Sequence, residues 1–306
     1  MKVKYLVEYL LLRTGTLLLA SIPYRVALAI GWLIAFKMHW ILSFRVRATR
    51  QRLQAVFGTE KSDSEIRHIA WLAWRNFVFG MIDVVRLSAM TREWFMNNVD
   101  CSDVMPRLED WRRSGTGMIV AAPHMGSWIM GGGGIALMGF PVFGIAGKQR
   151  NPLFARWTQR WQENTGFELL IRGNSPTLAA LSRLQKGRIL AIQPDVRVPQ
   201  ADLSVAFLGD TINMGSGMGV LAWYGKAPIL PVYLLREGWT RHKICALPLV
   251  ECDRSRTKSE SVRQTSEQVM KRFEELIRRH PEQWFWCNSR WLLDPVVVDP
   301  PVDGVV

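Results

Sequence analysis

The stretch AAPHMGSWIMGGGG, Ala121 to Gly134, holds one side chain that exchanges a proton near neutral pH: His124. A histidine that follows an apolar run and a proline is placed to act as a general base, or to serve as a hydrogen-bonded structural residue at a turn. A base of this kind needs a partner on Nδ1 that fixes its tautomer, and no Asp or Glu lies within the stretch. Ser127 is the nearest side-chain acceptor, and a weak one. The run Gly131–Gly134 lacks the G-x-x-x-x-G-K-[ST] order and trails the histidine, so it does not read as a phosphate loop. It reads either as close approach of a helix to another helix or to an acyl chain, or as the end of a helix.

The elements around His124 set its position. MIVAAP, VFGIAG, FELLI, RILAIQ and PILPVYLL are short apolar runs rich in β-branched residues, with helical stretches near 151–165, 175–186 and 214–225 between most of them. Strands alternating with helices predict an α/β fold with a largely parallel sheet flanked by helices. His124 then falls at the carboxyl edge of a strand, where open α/β sheets bind ligands, ahead of a helix whose dipole disfavours the imidazolium. HKICALPLVEC predicts a further strand, and 257–280 a long amphipathic helix. Ser62-Asp63-Ser64-Glu65 has the S-x-x-E form of a capping box and opens a helix reaching about Met90.

Residues 5–44 are apolar but interrupted by charge at Arg25 and Lys37, and neither run between the charges reaches the length of a spanning helix. With Arg45, Arg47, Arg50 and Arg52 immediately after, the segment predicts a membrane-associated helix pair with its basic end on an anionic surface; an ordinary buried hairpin is the competing reading. No cleavable signal peptide fits. The expected division is 1–60 as N-terminal apolar and basic helices, 61–294 as the α/β domain, and 295–306 as an aperiodic, disordered tail.

The 306 residues carry 39 Lys+Arg against 26 Asp+Glu, a formal charge of +13. Such an excess favours a polyanionic partner: nucleic acid, an anionic membrane surface or a phosphorylated substrate. No recognition motif accompanies the charge, which argues against nucleic acid. The 14 Trp suit a membrane interface as well as a core. Cys101, Cys245, Cys252 and Cys287 form no C-x-x-C pair and have no histidine at ligand spacing, so they read as reduced thiols, with no metal site and no cofactor expected.

Taken in order, HMGSW, RVRATRQRLQAVFG with WRNFVFGMID, KQRNPLF, RGN, QPD, FLGDTINMGSG, GKAPILPVYLLREG and HPEQWFWCNSRW resemble the lipid A biosynthesis acyltransferases, over roughly residues 10–292. The resemblance implies a glycerolipid acyltransferase-like fold on the cytoplasmic face of the inner membrane. It also implies attack of a phosphorylated glycolipid or phospholipid hydroxyl on an acyl thioester of acyl carrier protein or CoA. His124 matches the family's base. The family's acid, after four intervening residues, falls at Ile129, which cannot hydrogen-bond.

The resemblance further matches Asp195 to a family acid, either as a replacement carboxylate for His124 or as a substrate-binding or loop-capping residue. A second family acid falls at Arg197. Arg150 (or Lys148) and Arg172 match basic positions suited to forked phosphate binding, and Ser127 joins them as a substrate-binding candidate. Two functions compete: an O-acyltransferase with lipid A-type acceptors, and a pseudoenzyme that binds lipid or acyl carrier protein without turnover.

Overall fold

The computed structural model describes residues 3–147, 151–171, 176–198 and 201–293, and all counts are of these. The N-terminal helices are α1 (Val3–Ser21), α2 (Tyr24–Phe36, continuing into a π turn at Lys37–Ile41), α3 (Val46–Phe57) and α4 (Asp63–Arg86). Then come α5 (Arg92–Asn98), β1 (Val99–Asp100), α6 (Val104–Ser114), β2 (Met118–Ala121), α7 (Trp128–Leu137), β3 (Val142–Ala146), α8 (Pro152–Thr165) and β4 (Glu168–Ile171). The chain continues through α9 (Pro176–Gln185), β5 (Ile189–Ile192), β6 (Leu203–Phe207), β7 (Asp210–Met214) and α10 (Gly217–Gly225). It closes with β8 (Ile229–Glu237), β9 (Arg241–Ala246) and α11 (Lys258–Arg279).

Seven strands form one sheet in the order β1-β9-β8-β2-β5-β3-β4, parallel throughout except for the β8–β9 hairpin. The central strands are buried on both faces, as their continuous apolar runs require. In β2, Met118 and Val120 join the core shared with α6, α7 and α8, while Ile119 and Ala121 join the core shared with α9, α10 and α11. Local chemistry sets the helix ends: Ser62 and Glu65 form a complete capping box on α4, and Thr257 with Glu260 forms another on α11.

One boundary moves, and one open alternative is decided. FLGDTINMG, one of the family-like blocks, lies ahead of the helix expected near 214–225. It belongs to an antiparallel hairpin, β6–β7, turned at Leu208-Gly209, both with positive φ (53° and 85°), and α10 starts only at Gly217. The four glycines do not end a helix. They lie within α7, and Gly134 passes so close to Phe95 that a Cβ there would meet the ring at 1.9 Å.

The N-terminal helices pack on α4, with α2 buried there through Ala27, Leu28, Phe79 and Ile82. Their outer side leaves Leu11, Leu18, Leu33, Ile41 and Leu42 between 57% and 71% exposed. No single described helix is long and apolar enough to cross a membrane; Tyr24–Ile41 and Val46–Phe57 are bent by 83° at their break. The 295–306 tail lies outside the described residues.

Candidate active site

β2 and β5 pair in register, with Ala121 opposite Ile192, and the first residue past β2 still donates to β5, from Ala122 N to Ile192 O at 3.0 Å. The two chains therefore leave the sheet side by side. Three positions beyond the last pair stand His124 on one and Asp195 on the other. His124 Nδ1 lies 2.7 Å from Asp195 Oδ1, and the His124 backbone N–H donates to Asp195 Oδ2, also at 2.7 Å. A third donor, Trp284 Nε1, reaches Oδ2 at 2.8 Å.

The Asp195 side chain is fully buried and that of His124 is 19% exposed. Burial alone would raise the Asp195 carboxyl; attraction to His124 and the hydrogen bonds from His124 and Trp284 outweigh it and hold the group below the usual carboxylate range. An ionised carboxylate only accepts, so Nδ1 carries the hydrogen and Nε2 keeps its lone pair for an incoming proton.

The loop that carries His124 is clamped from the C-terminal side. Phe285 N donates to His124 O at 3.0 Å, Gly126 N donates to Gln283 O at 3.0 Å, and Met125 bridges Trp284. Gly126 has φ +57°, and a Cβ there would lie 1.9 Å from Leu234 O, so the turn admits only glycine. The ring of Trp128 meets the imidazole edge-on at 5.0 Å and stacks on Phe285. Trp128 also lines two apolar clefts. One lies between α7 and the sheet; the other is a cavity of about 340 Å³ between α7, α8 and β3.

The remaining sequence candidates part company. Ile129 packs with the α7-side core and lines the larger cavity, away from any role on Nδ1. Ser127 is 2% exposed, and Nδ1 is already taken by Asp195. Arg197 turns to the C-terminal segment, donating from Nη2 to Trp291 O at 3.0 Å. Lys148, Arg150 and Arg172 lie outside the described residues.

Sequence reasoning missed Trp284, although HPEQWFWCNSRW stood out as a block. An indole N–H has one use when buried, to find an acceptor, and that was the available signal. It also missed a second buried network behind the site. Asp83 of α4 pairs with Arg236 Nη2 of β8 and accepts from Tyr24 Oη of α2 at 2.6 Å, while Tyr24 Oη lies 3.1 Å from His242 Nε2 of β9. Arg236 and Gln283 exchange two hydrogen bonds, so this network reaches the segment that clamps His124. Burial, and then the Arg236 charge, push His242 well below the usual imidazole range.

The largely parallel sheet thus carries a histidine–carboxylate pair at its carboxyl edge, beside apolar clefts. The chain belongs to the bacterial lipid A biosynthesis acyltransferase family, whose model matches residues 1–293. It is similar to the phosphatidylinositol mannoside acyltransferase of Mycobacterium tuberculosis (strain ATCC 25618 / H37Rv), 27% identical over 188 residues, which cover 59% of this chain and 56% of that protein. The protein of the same name from strain CDC 1551 / Oshkosh is 26% identical over 220 residues, covering 69% of this chain and 66% of its own length. That of Mycolicibacterium smegmatis (strain ATCC 700084 / mc(2)155) is 25% identical over 217 residues, covering 69% and 68%. The chain thus spans a little over half to about two thirds of the length of these relatives.

Proposed function

We propose that this chain moves a fatty acyl group from a thioester, on acyl carrier protein or CoA, to a hydroxyl of a phosphorylated glycolipid at a membrane surface. The acceptor oxygen attacks the thioester carbonyl carbon while its proton passes to His124 Nε2. The new C–O bond forms, the C–S bond breaks, and the thiolate leaves with the proton returned from His124. Asp195 holds Nδ1–H and stabilises the imidazolium between the two transfers. The acyl chain occupies the apolar clefts that meet at Trp128.

The observation that carries this reading is the 2.7 Å contact between His124 Nδ1 and Asp195 Oδ1. It supplies, from the segment after β5, the carboxylate that Ile129 cannot, which supports turnover over binding alone. Family membership and the naming of the relatives support acyl transfer, and the exposed apolar side of α1 and α2, with the basic charge, supports work at a membrane surface.

The test is acyl transfer in mixed micelles from palmitoyl-CoA and from a palmitoyl-acyl carrier protein. A tetra-acylated lipid A precursor and a phosphatidylinositol mannoside are offered as separate acceptors, and products are identified by mass spectrometry. One acceptor should gain a chain, and His124→Ala should not support the gain. No product from any combination, or equal rates with His124→Ala, sinks the proposal.

A further inference from the structure

The wall of the site changes chemistry at one rung of the sheet. Side chains alternate along a strand, so β5 turns Ile189, Ala191 and then Gln193 toward α7, and β2 turns Val120 and then Ala122 the same way. Since Ala121 pairs with Ile192, Ala122 and Gln193 share a rung. His124 and Asp195 stand two residues further along each chain, past Pro123 and Pro194. Gln193 lines both apolar clefts, with Trp128 and Gly132, and precedes Asp195 by two residues in the chain.

A primary amide in a mostly apolar wall is costly to bury unless something pairs with it. The Gln193 amide is half-buried and hydrogen-bonds to no described residue. Part of the backbone of this edge is already committed or lacks a donor. Residues 123 and 194 are both proline, without N–H; Ala122 N–H is spent on Ile192 O, and His124 N–H on Asp195. Acyl transfer, however, places negative charge on the carbonyl oxygen of the tetrahedral intermediate. That oxygen needs a donor at about 3 Å, close to the base that shuttles the proton.

We propose that the Gln193 side-chain amide donates a hydrogen bond to the thioester carbonyl oxygen and stabilises the oxyanion. As the acceptor oxygen bonds to the carbonyl carbon, the C=O pair moves onto the oxygen held by Gln193. When the C=O bond re-forms, the C–S bond breaks and the thiolate takes the proton from His124. Gln193 is in this role a catalytic residue, and the assignment rests on the acyl-transfer reading given above.

The experiment measures thiol release from palmitoyl-CoA, with phosphatidylinositol mannoside in mixed micelles or with water as acceptor, by wild type, Gln193→Met and Gln193→Glu. Met keeps the length without a donor; ionised Glu keeps the polarity without a donor. Both variants should lose on the order of 10²–10³-fold in kcat. KM for palmitoyl-CoA should change by less than about threefold, since a bond made only in the transition state does not hold the ground state. The pH dependence of Gln193→Met should keep its position, because the dyad is untouched. A kcat within about threefold of wild type in either folded variant, or a loss confined to KM, overturns the proposal. No turnover by wild type overturns the acyl-transfer reading and this assignment with it, whereas an active wild type matched by Gln193→Met overturns the assignment alone.

Discussion

The indole of Trp284 donates at 2.8 Å to the same Asp195 oxygen, Oδ2, that accepts the His124 backbone N–H, which leaves Oδ1 wholly to the imidazole. Three donors on one buried carboxylate keep it ionised and fix its plane. The histidine it holds is fixed in turn at Nδ1, through its own N–H, and through the carbonyl that accepts from Phe285.

Asp195→Asn should lower acyl transfer by roughly 10³–10⁴, the scale seen when the carboxylate behind a catalytic histidine is made neutral. Ile129→Glu should give no gain, since Nδ1 already has its partner. It should destabilise the fold by placing a carboxylate in the apolar α7-side core. Steady-state rates and urea midpoints for the two variants check this; a faster Ile129→Glu enzyme contradicts it.

Trp284→Phe keeps the packing against Phe207, Trp286 and Trp291 but removes one donor from Asp195. A cost of about 1–3 kcal/mol in stability is expected for a buried acceptor that loses its partner. Losing a donor also raises the Asp195 carboxyl. The acid limb of the rate profile should therefore shift to higher pH, and an unmoved limb would count against the indole's role.

His242 titrates well below an ordinary imidazole when folded. A depressed group stabilises the fold above its unfolded value, near pH 6.5, and the contribution is lost as pH falls toward the folded value. Stability should decline below pH 6.5 by about 1.4 kcal/mol per pH unit from this one proton. His242→Gln should flatten that slope by one proton in chemical denaturation at pH 5 to 7, and an identical slope would refute it.

The outer side of α2 and its π turn should bind anionic vesicles. Leu33, Ile41 and Leu42 are 62%, 66% and 57% exposed, so replacing all three with Asp leaves the buried side against α4 intact. Flotation with phosphatidylglycerol vesicles should fall at least about tenfold, because apolar burial and surface charge both weaken. Unchanged flotation with an unchanged melting temperature means that another surface binds. Point changes serve better than truncation at Asp63, because Tyr24 is tied to Asp83 and its removal would strip a partner from the buried Asp83–Arg236 pair.

Much of the scaffold follows from local rules. Ser62 with Glu65 starts α4, and Thr257 with Glu260 starts α11, because the orphan amides of a first turn need side-chain acceptors. The runs MIVAAP and RILAIQ are strands because their β-branched, apolar residues suit a sheet covered on both faces, and His124 stands at a strand end because MIVAAP stops at a proline. The β6–β7 hairpin was hidden because its turn places Leu208 at positive φ, where Gly or Asn would have announced it.

What the local pattern does not contain is the partner of that histidine. Ile129 argued for a missing acid, and Asp195 stood 71 residues away with two open readings. Only the parallel pairing of β2 with β5 decides between them: with Ala121 opposite Ile192, equal extensions beyond the pair bring His124 and Asp195 together, whereas a slip of one residue would turn Asp195 to the other face. Trp284, from beyond α11, then supplies the hydrogen bond that burial of the carboxylate demands, a contact that depends on how helices and sheet pack and that the residues along either segment do not encode.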